Sequence, residues 1–170
     1  MHQLIRQRER EDGTLERVLA QDDWRAIEDD PTGSHPALIL PLERWRAERE
    51  QWAPGTRRVG VRMGPAERVE SLEPDLARLA LIAIEFSGPS EGRGYSQARV
   101  LRDRFRFRGE IRAVGHVKLD QLFFLARCGF DAFELSPGIK VEEALAAFGQ
   151  FDVAYQSGAL RSPVLKRRYV

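Results

Sequence analysis

Four charged side chains stand near the ends of four apolar stretches and alternate in sign along the chain. They are Arg62, Glu85, Arg112 and Glu134. They occur in RRVGVRM (57–63), LALIAIEF (79–86), EIRAVG (110–115) and DAFEL (131–135). Because side chains alternate along a strand, each charge lies opposite a bulky apolar face. If the strands are neighbours, the charges meet as a closed ion-pair network or as a polar pocket for a small anionic ligand.

A glycine-containing connection, EFSGPSEGRGYSQAR (85–99), follows the second of these stretches. Arg93 and Ser96 stand at the entrance of the helix predicted there, where free N–H groups favour an anion. The glycine spacing matches neither the dinucleotide fingerprint nor the P-loop. Ser96 also suits a helix cap. The stretch therefore predicts either a plain strand-to-helix connection or one wall of a ligand site.

Three more residues have chemistry worth locating. His116 follows a predicted strand and can titrate near neutral pH, and Asp120 lies in the first turn of the next predicted helix. Both are also ordinary loop and helix-start residues. Cys128, the single cysteine, lies beside apolar residues near the end of that helix and is expected to be a buried or half-buried thiol.

The last fourteen residues, 157–170, form a basic tail without periodicity. Such a tail is either solvated or docks onto a partner protein and folds on binding. The residues predicted to contact that partner are Tyr155, Arg161, Lys166, Arg167 and Arg168.

The elements that must position these residues alternate between strand and helix. The predicted strands are 37–40, 57–63, 79–86, 110–115 and 131–135, with a further short strand at 153–156. The predicted helices are 42–52, 94–105, 118–130 and 141–151, and residues 63–79 form short helical turns. This alternation predicts an α/β fold with a mainly parallel sheet of about five strands. The one-sided charges favour a partial or small TIM-barrel-like arrangement, with a flavodoxin-like doubly wound sheet as the alternative.

Three segments follow from this pattern. Residues 1–35 are charged and weakly periodic, and they are expected to form a loosely packed N-terminal extension with a short helix or hairpin around 15–27. Residues 36–156 form a single α/β domain, and residues 157–170 form the tail.

Composition excludes several classes of protein. The 170-residue chain has a net charge of +1, so it has no overall attraction for nucleic acid. A single cysteine and three scattered histidines make no metal or cluster motif, and no cofactor motif is evident. No apolar run reaches the length of a membrane helix, and the polar N-terminus does not resemble a signal peptide. A cytoplasmic protein is expected, and its oligomeric state stays open.

The stretch PDLARLALIAIEF and the segment GRGYSQARVLRDRFRFRGEIRAVGHVKLDQLFFLARCGFDAFEL resemble the bacterial family known as domain of unknown function 934. The resemblance covers roughly residues 37–156 and is densest over 74–135. The family's characteristic positions fall here on Glu85, Gly92, Arg93, Gly94, Tyr95, Ser96, Gln97, Arg99, Arg102, Gly109, Glu110, Arg112, Ala113, Gly115, Asp120, Gln121, Arg127, Gly129, Phe130, Asp131 and Glu134. At His116 most members are expected to carry an acid, which weakens a catalytic role for it.

The resemblance implies a small cytoplasmic protein encoded beside assimilatory sulfite reductase and often labelled an oxidoreductase. Two functions are therefore carried forward. The first is an accessory protein of sulfite reduction that binds the reductase or another sulfur-assimilation enzyme. The second is a small enzyme or ligand-binding protein with a charged pocket at the strand C-terminal ends, and the family label implies an oxidoreductase.

Overall fold

Eight strands form one sheet in the computed structural model, which describes residues 3–52, 57–88 and 92–148. The strands are β1 (Gln3–Glu9), β2 (Leu15–Ala20), β3 (Arg25–Ala26), β4 (Ala37–Pro41), β5 (Arg58–Met63), β6 (Leu81–Phe86), β7 (Glu110–Gly115) and β8 (Ala132–Leu135).

The order of the strands across the sheet is β2-β1-β8-β7-β6-β5-β4-β3. Strands β3 to β8 are parallel, whereas β1 runs antiparallel to both β8 and β2. Neighbours from β4 to β8 follow one another in chain order, without the reversal that a doubly wound sheet contains. The sheet is curled into a half-barrel.

The helices connect these strands. They are α1 (Leu42–Glu48), a 3₁₀ helix (Val69–Arg78), α2 (Arg93–Arg99), which continues as a π-helical turn (Val100–Arg104), α3 (Leu119–Cys128) and α4 (Val141–Ala147). The 3₁₀ helix contains Pro74, which removes a backbone donor from any longer α-helix there. Gly129 closes α3 in the left-handed conformation at φ 107°, as expected for a glycine at that position.

The main core lies between one face of the sheet and these helices. Alternate residues of β5 to β8 enter it: Val59, Val61, Met63, Ile82, Ile84, Phe86, Ile111, Ala113, Phe133 and Leu135. The opposite face carries none of the helices described above and is called here the helix-free face; it holds a smaller apolar cluster of Trp24, Ala37, Leu81, Ala83 and Val114. The strand periodicity therefore predicts correctly which side chains face the helices.

The N-terminal segment differs from the loosely packed extension expected from the sequence. Strand β1 is paired on both sides, with Ile5 opposite Leu19 of β2 and Phe133 of β8. Ile5 is fully buried in the main core, and Trp24 covers the helix-free face. The pairing unites residues that are distant in the chain, such as Leu4 and Glu134, which are 130 positions apart, so nothing local in the sequence indicates it. The sheet thus has more strands than the five expected.

Some expectations lie outside the described residues: the strand at 153–156, the end of the helix at 149–151 and the tail 157–170. Within the described residues, no helix is long and apolar enough to cross a membrane.

Candidate functional site

The charges of the four strands lie on the helix-free face at two levels. In the register of the sheet, Arg62 stands beside Ala83 of β6, and Ala83 stands beside Arg112 of β7. Glu85 lies two residues further along β6, opposite Val114. The strand between the two arginines carries Ala83 at their level of the sheet, and the glutamates lie two residues closer to the carboxyl ends of their strands. The four side chains therefore cannot form the simple alternating row expected from the sequence.

Arg112 is the centre of a buried ion-pair cluster. Its guanidinium binds Asp22 in a bidentate manner, with Nη1 donating to Oδ2 at 2.7 Å and Nη2 donating to Oδ1 at 2.9 Å. Its Nε donates to Glu110 Oε1 at 2.8 Å. The Arg112 side chain is 1% exposed. All three of its nitrogens are therefore satisfied within the chain.

The electrostatics of Arg112 follow from these contacts. Burial alone disfavours the charged guanidinium, but the hydrogen bond and charge of Asp22 and the charge of Glu110 outweigh it and raise the pKa of Arg112. The arginine stays charged, and the cluster fixes the N-terminal segment onto the sheet.

Arg6 and Asp23 extend the cluster toward the sheet edge. Arg6 Nε lies 3.0 Å from Glu110 Oε2, and its Nη1 lies 3.6 Å from Asp23. Asp23 also accepts from Arg58 at 3.0 Å, and the Arg58 guanidinium lies over the Trp24 ring at 5.0 Å. The helix-free face is therefore crossed by a continuous set of intramolecular charge contacts.

Arg62 and Glu85 form a separate pair. The Nε and Nη2 atoms of Arg62 both lie 3.1 Å from Glu85 Oε2. The two side chains are 51% and 31% exposed, so solvent screens this pair far more than the Arg112 cluster.

The remaining predicted site residues lie at separate positions. Glu134 is half-buried on β8, opposite Leu4 of β1. His116 is exposed, and its backbone N–H donates to Phe86 O at 2.8 Å. Asp120 is exposed in the first turn of α3. These residues do not join Arg112 in one open pocket.

The stretch GRGYSQ has two roles in the structure. Arg93 and Ser96 are exposed and line a groove of about 330 Å³ between α2 and the segment 66–70. Gln97 closes part of this groove by donating from Nε2 to Glu67 O at 2.5 Å. Gly94 is required by packing, because a Cβ there would lie 2.5 Å from Cζ of Phe86. At least one of the glycines therefore serves the core and not a phosphate.

Cys128 is partly buried at the end of α3. Burial raises the pKa of its thiol, although Arg99 and Arg127 oppose the shift. Within the described residues, no group of three or more His, Cys, Asp or Glu side chains could hold a metal ion.

A second, partly buried network was not predicted. Arg102 of the π-helical turn donates to the backbone oxygens of Phe107, Gly109 and Gly129, and it pairs closely with Asp131. Asp131 also accepts from the Ile111 N–H at 2.9 Å. These contacts join the π-helical turn, the end of α3 and the starts of β7 and β8. Arg102, Gly109, Gly129 and Asp131 are among the characteristic positions of the resemblance, and that was the signal by which the network could have been found.

Asp22 was also missed. It lies 90 residues from Arg112 in the chain, and its segment was expected to pack loosely. The only signal was the sequence Asp22-Asp23-Trp24, in which acids precede a large aromatic residue. The predicted tail contacts at Tyr155, Arg161 and 166–168 lie outside the described residues.

Comparison with known proteins gives one match. A model of a family described as a bacterial protein of unknown function, DUF934, matches residues 60–165. This range covers more than half of the chain and includes β6, β7 and β8 with their helices. It begins and ends later than the range 37–156 expected from the resemblance. No curated protein matches the chain.

Proposed function

The chain belongs to the bacterial family of unknown function DUF934, and on that premise we propose that it is an accessory protein of assimilatory sulfite reduction. It acts in the cytoplasm by binding a partner enzyme, either sulfite reductase or another enzyme of sulfur assimilation. The link to sulfite reduction comes from the family resemblance, and the buried Arg112 cluster supports binding over catalysis as the mode of action.

The observation that carries this proposal is the closure of the part of the charged strand face around Arg112. In α/β proteins, sites form at the carboxyl ends of parallel strands. Here Arg112, which the sequence places at such a site, is 1% exposed and bound to Asp22 and Glu110. The charges that could orient a substrate at that position instead hold the fold together. If this face has a structural role, the outer surfaces and the tail are the parts of the chain that can bind a partner.

The half-barrel suits a binding protein. We interpret it as a partial TIM-barrel-like arrangement, because β4 to β8 are adjacent in chain order and the helices pack on one face. The tail remains the predicted partner contact, since it mixes basic and apolar residues.

A second candidate function is supported by the groove beside α2. Arg93 and Ser96 line it together, and its volume of about 330 Å³ is at the lower end of the range for small-ligand sites. In this alternative the chain is a small ligand-binding protein or enzyme, with the guanidinium of Arg93 contacting an anionic group.

Affinity purification from native cells tests the proposal. The tagged full chain should co-purify with a sirohaem sulfite reductase identified by mass spectrometry and visible absorption. A variant lacking residues 157–170 should lose the reductase, and a charge-reversed tail of the same length should lose it as well.

Three outcomes decide between the candidates. Absence of any sulfur-assimilation enzyme from the full-chain sample would overturn the accessory role. If the truncated variant recovers as much reductase as the full chain, the tail is not part of the interface, although the chain still binds the enzyme. A yellow chromophore, or thermal stabilisation by a phosphorylated compound that Arg93→Ala abolishes, would favour the second candidate.

A further inference from the structure

A second groove lies at the opposite edge of the sheet from the predicted site. Its volume is about 400 Å³, within the range of small-ligand sites. One wall is the end of β1 with Leu15, and the other is the segment 102–108 with Asp131. Because β7 and β8 begin here, this groove is distinct from the strand C-terminal ends and from the groove beside α2.

The groove has an excess of positive charge. It is lined by four arginines and three carboxylates. Arg8 pairs with Glu16, and Arg102 is held in the network with Asp131. Arg106 and Arg108 are exposed and have no ion pair among the residues that the structure describes. Two guanidinium groups on one wall are therefore available to an anion.

The backbone of Arg106 adds a second observation. Its φ is 54°, in the left-handed region that non-glycine residues rarely adopt. The next residue fixes this conformation: Phe107 is 6% exposed, donates from its N–H to Leu101 O and accepts from Arg102 Nη1. Glycine would fit this position without strain. An arginine held there is a strained residue of the kind found at functional sites.

Gln7 provides a third, independent observation. It lines the groove, the residue is 9% exposed, and its Oε1 is buried without a hydrogen-bond donor among the described residues. A buried carbonyl oxygen without a donor is costly and calls for an explanation. The groove thus combines guanidinium donors with an acceptor that needs an N–H or O–H group.

We propose that this groove binds a small anion whose oxoanion group contacts Arg106 and Arg108 and whose O–H or N–H group donates to Gln7 Oε1. Hydrogen phosphate is the simplest member of this class, and small hydroxycarboxylates are others. The carboxylates in the lining, among them Asp103, disfavour a polymer with many phosphate groups such as nucleic acid. The inference does not depend on the accessory role.

Calorimetric titration of the full chain tests this inference, with hydrogen phosphate and sulfate compared at equal ionic strength. Both ions contact arginine, but sulfate has no proton to donate to Gln7. We expect saturable phosphate binding that is at least about fivefold tighter than sulfate binding. Gln7→Leu should abolish this preference.

Arg106→Gly separates binding from folding. Glycine accepts the positive φ, so the melting temperature should stay unchanged or rise, while phosphate affinity should fall at least about tenfold. Arg104→Ala is the matched control, because Arg104 ends the π-helical turn two residues before Arg106 but does not line this groove. Its phosphate affinity should stay within about twofold of wild type.

The inference is overturned by either of two results. One is the absence of saturable phosphate binding up to about 10 mM. The other is phosphate binding that Arg106→Gly leaves intact, because the anion then lies outside this groove. Loss of binding in Arg93→Ala would in that case place the anion in the groove beside α2.

Discussion

The Arg112 cluster makes a quantitative prediction for Asp22→Asn. This substitution keeps the shape of the side chain and removes its charge. Two hydrogen bonds of 2.7 and 2.9 Å then lose an ionised acceptor, and one amide nitrogen faces the guanidinium. Arg112 is 1% exposed and cannot recover the lost contacts from water. Only Glu110 remains as its ionised partner.

The size of the effect follows from burial. Removing one partner of a fully buried ion pair costs about 3–5 kcal/mol. Asp22 is 36% exposed and Glu110 still compensates part of the charge, so we expect a smaller loss, about 2 kcal/mol in the free energy of unfolding. For a chain of 170 residues this corresponds to a drop of about 4–8 °C in melting temperature.

Glu85→Gln is the matched control. It makes the same carboxylate-to-amide change in a strand ion pair, but Arg62 and Glu85 are 51% and 31% exposed. The expected loss is under about 1 kcal/mol.

Thermal and urea unfolding of both variants measure these losses. A double-mutant cycle with Arg112→Met should give a coupling energy to Asp22 of about 1–2 kcal/mol, because the second substitution removes the charge left without its partner. The account is wrong if Asp22→Asn melts within about 1 °C of wild type, or if it costs no more than Glu85→Gln.

Three further predictions concern other parts of the chain. Gly94→Ala should lower the free energy of unfolding by about 1–3 kcal/mol in urea, because its Cβ would lie 2.5 Å from a buried aromatic ring, whereas Gly92→Ala, with nothing within 4 Å, should cost under about 0.5 kcal/mol. Cys128 should react slowly with an aromatic disulfide reagent at neutral pH, with a rate that rises only in alkaline solution, because burial raises the pKa of its thiol; a rate equal to that of the unfolded chain would contradict this. Hydrogen bonds, first from the Thr32 hydroxyl, hold the pKa of Asp30 at about 2, so its contribution to stability is complete above about pH 4 and is lost as the pH falls toward 2. The stability difference between wild type and Asp30→Asn should therefore vanish over that window, and a pH-independent difference would refute it.

The sequence was informative about which way side chains point. The period of two along a strand is local, so Val59 and Ile82 could be assigned to the core and Arg112 to the opposite face from single stretches. The parallel βα order of β4 to β8 followed from alternation for the same reason.

Partners across the sheet could not be predicted in this way. They depend on register, which places Ala83 and not Glu85 beside Arg112. The charge that binds Arg112 comes from Asp22, in a segment whose strand β1 is stabilised by pairing with the distant β8. The same limit hid the groove at Gln7, because its walls meet only when β1 is added to the sheet.

Binding to a purified sirohaem sulfite reductase is the most direct test of the proposed function. Biolayer interferometry with the full chain should give a dissociation constant of about 1 µM or below, weakened at least about tenfold when residues 157–170 are removed. In the same preparation the chain alone, supplied with an electron donor, should not reduce sulfite. No binding at about 10 µM would contradict the account, and so would sulfite reduction by the chain alone.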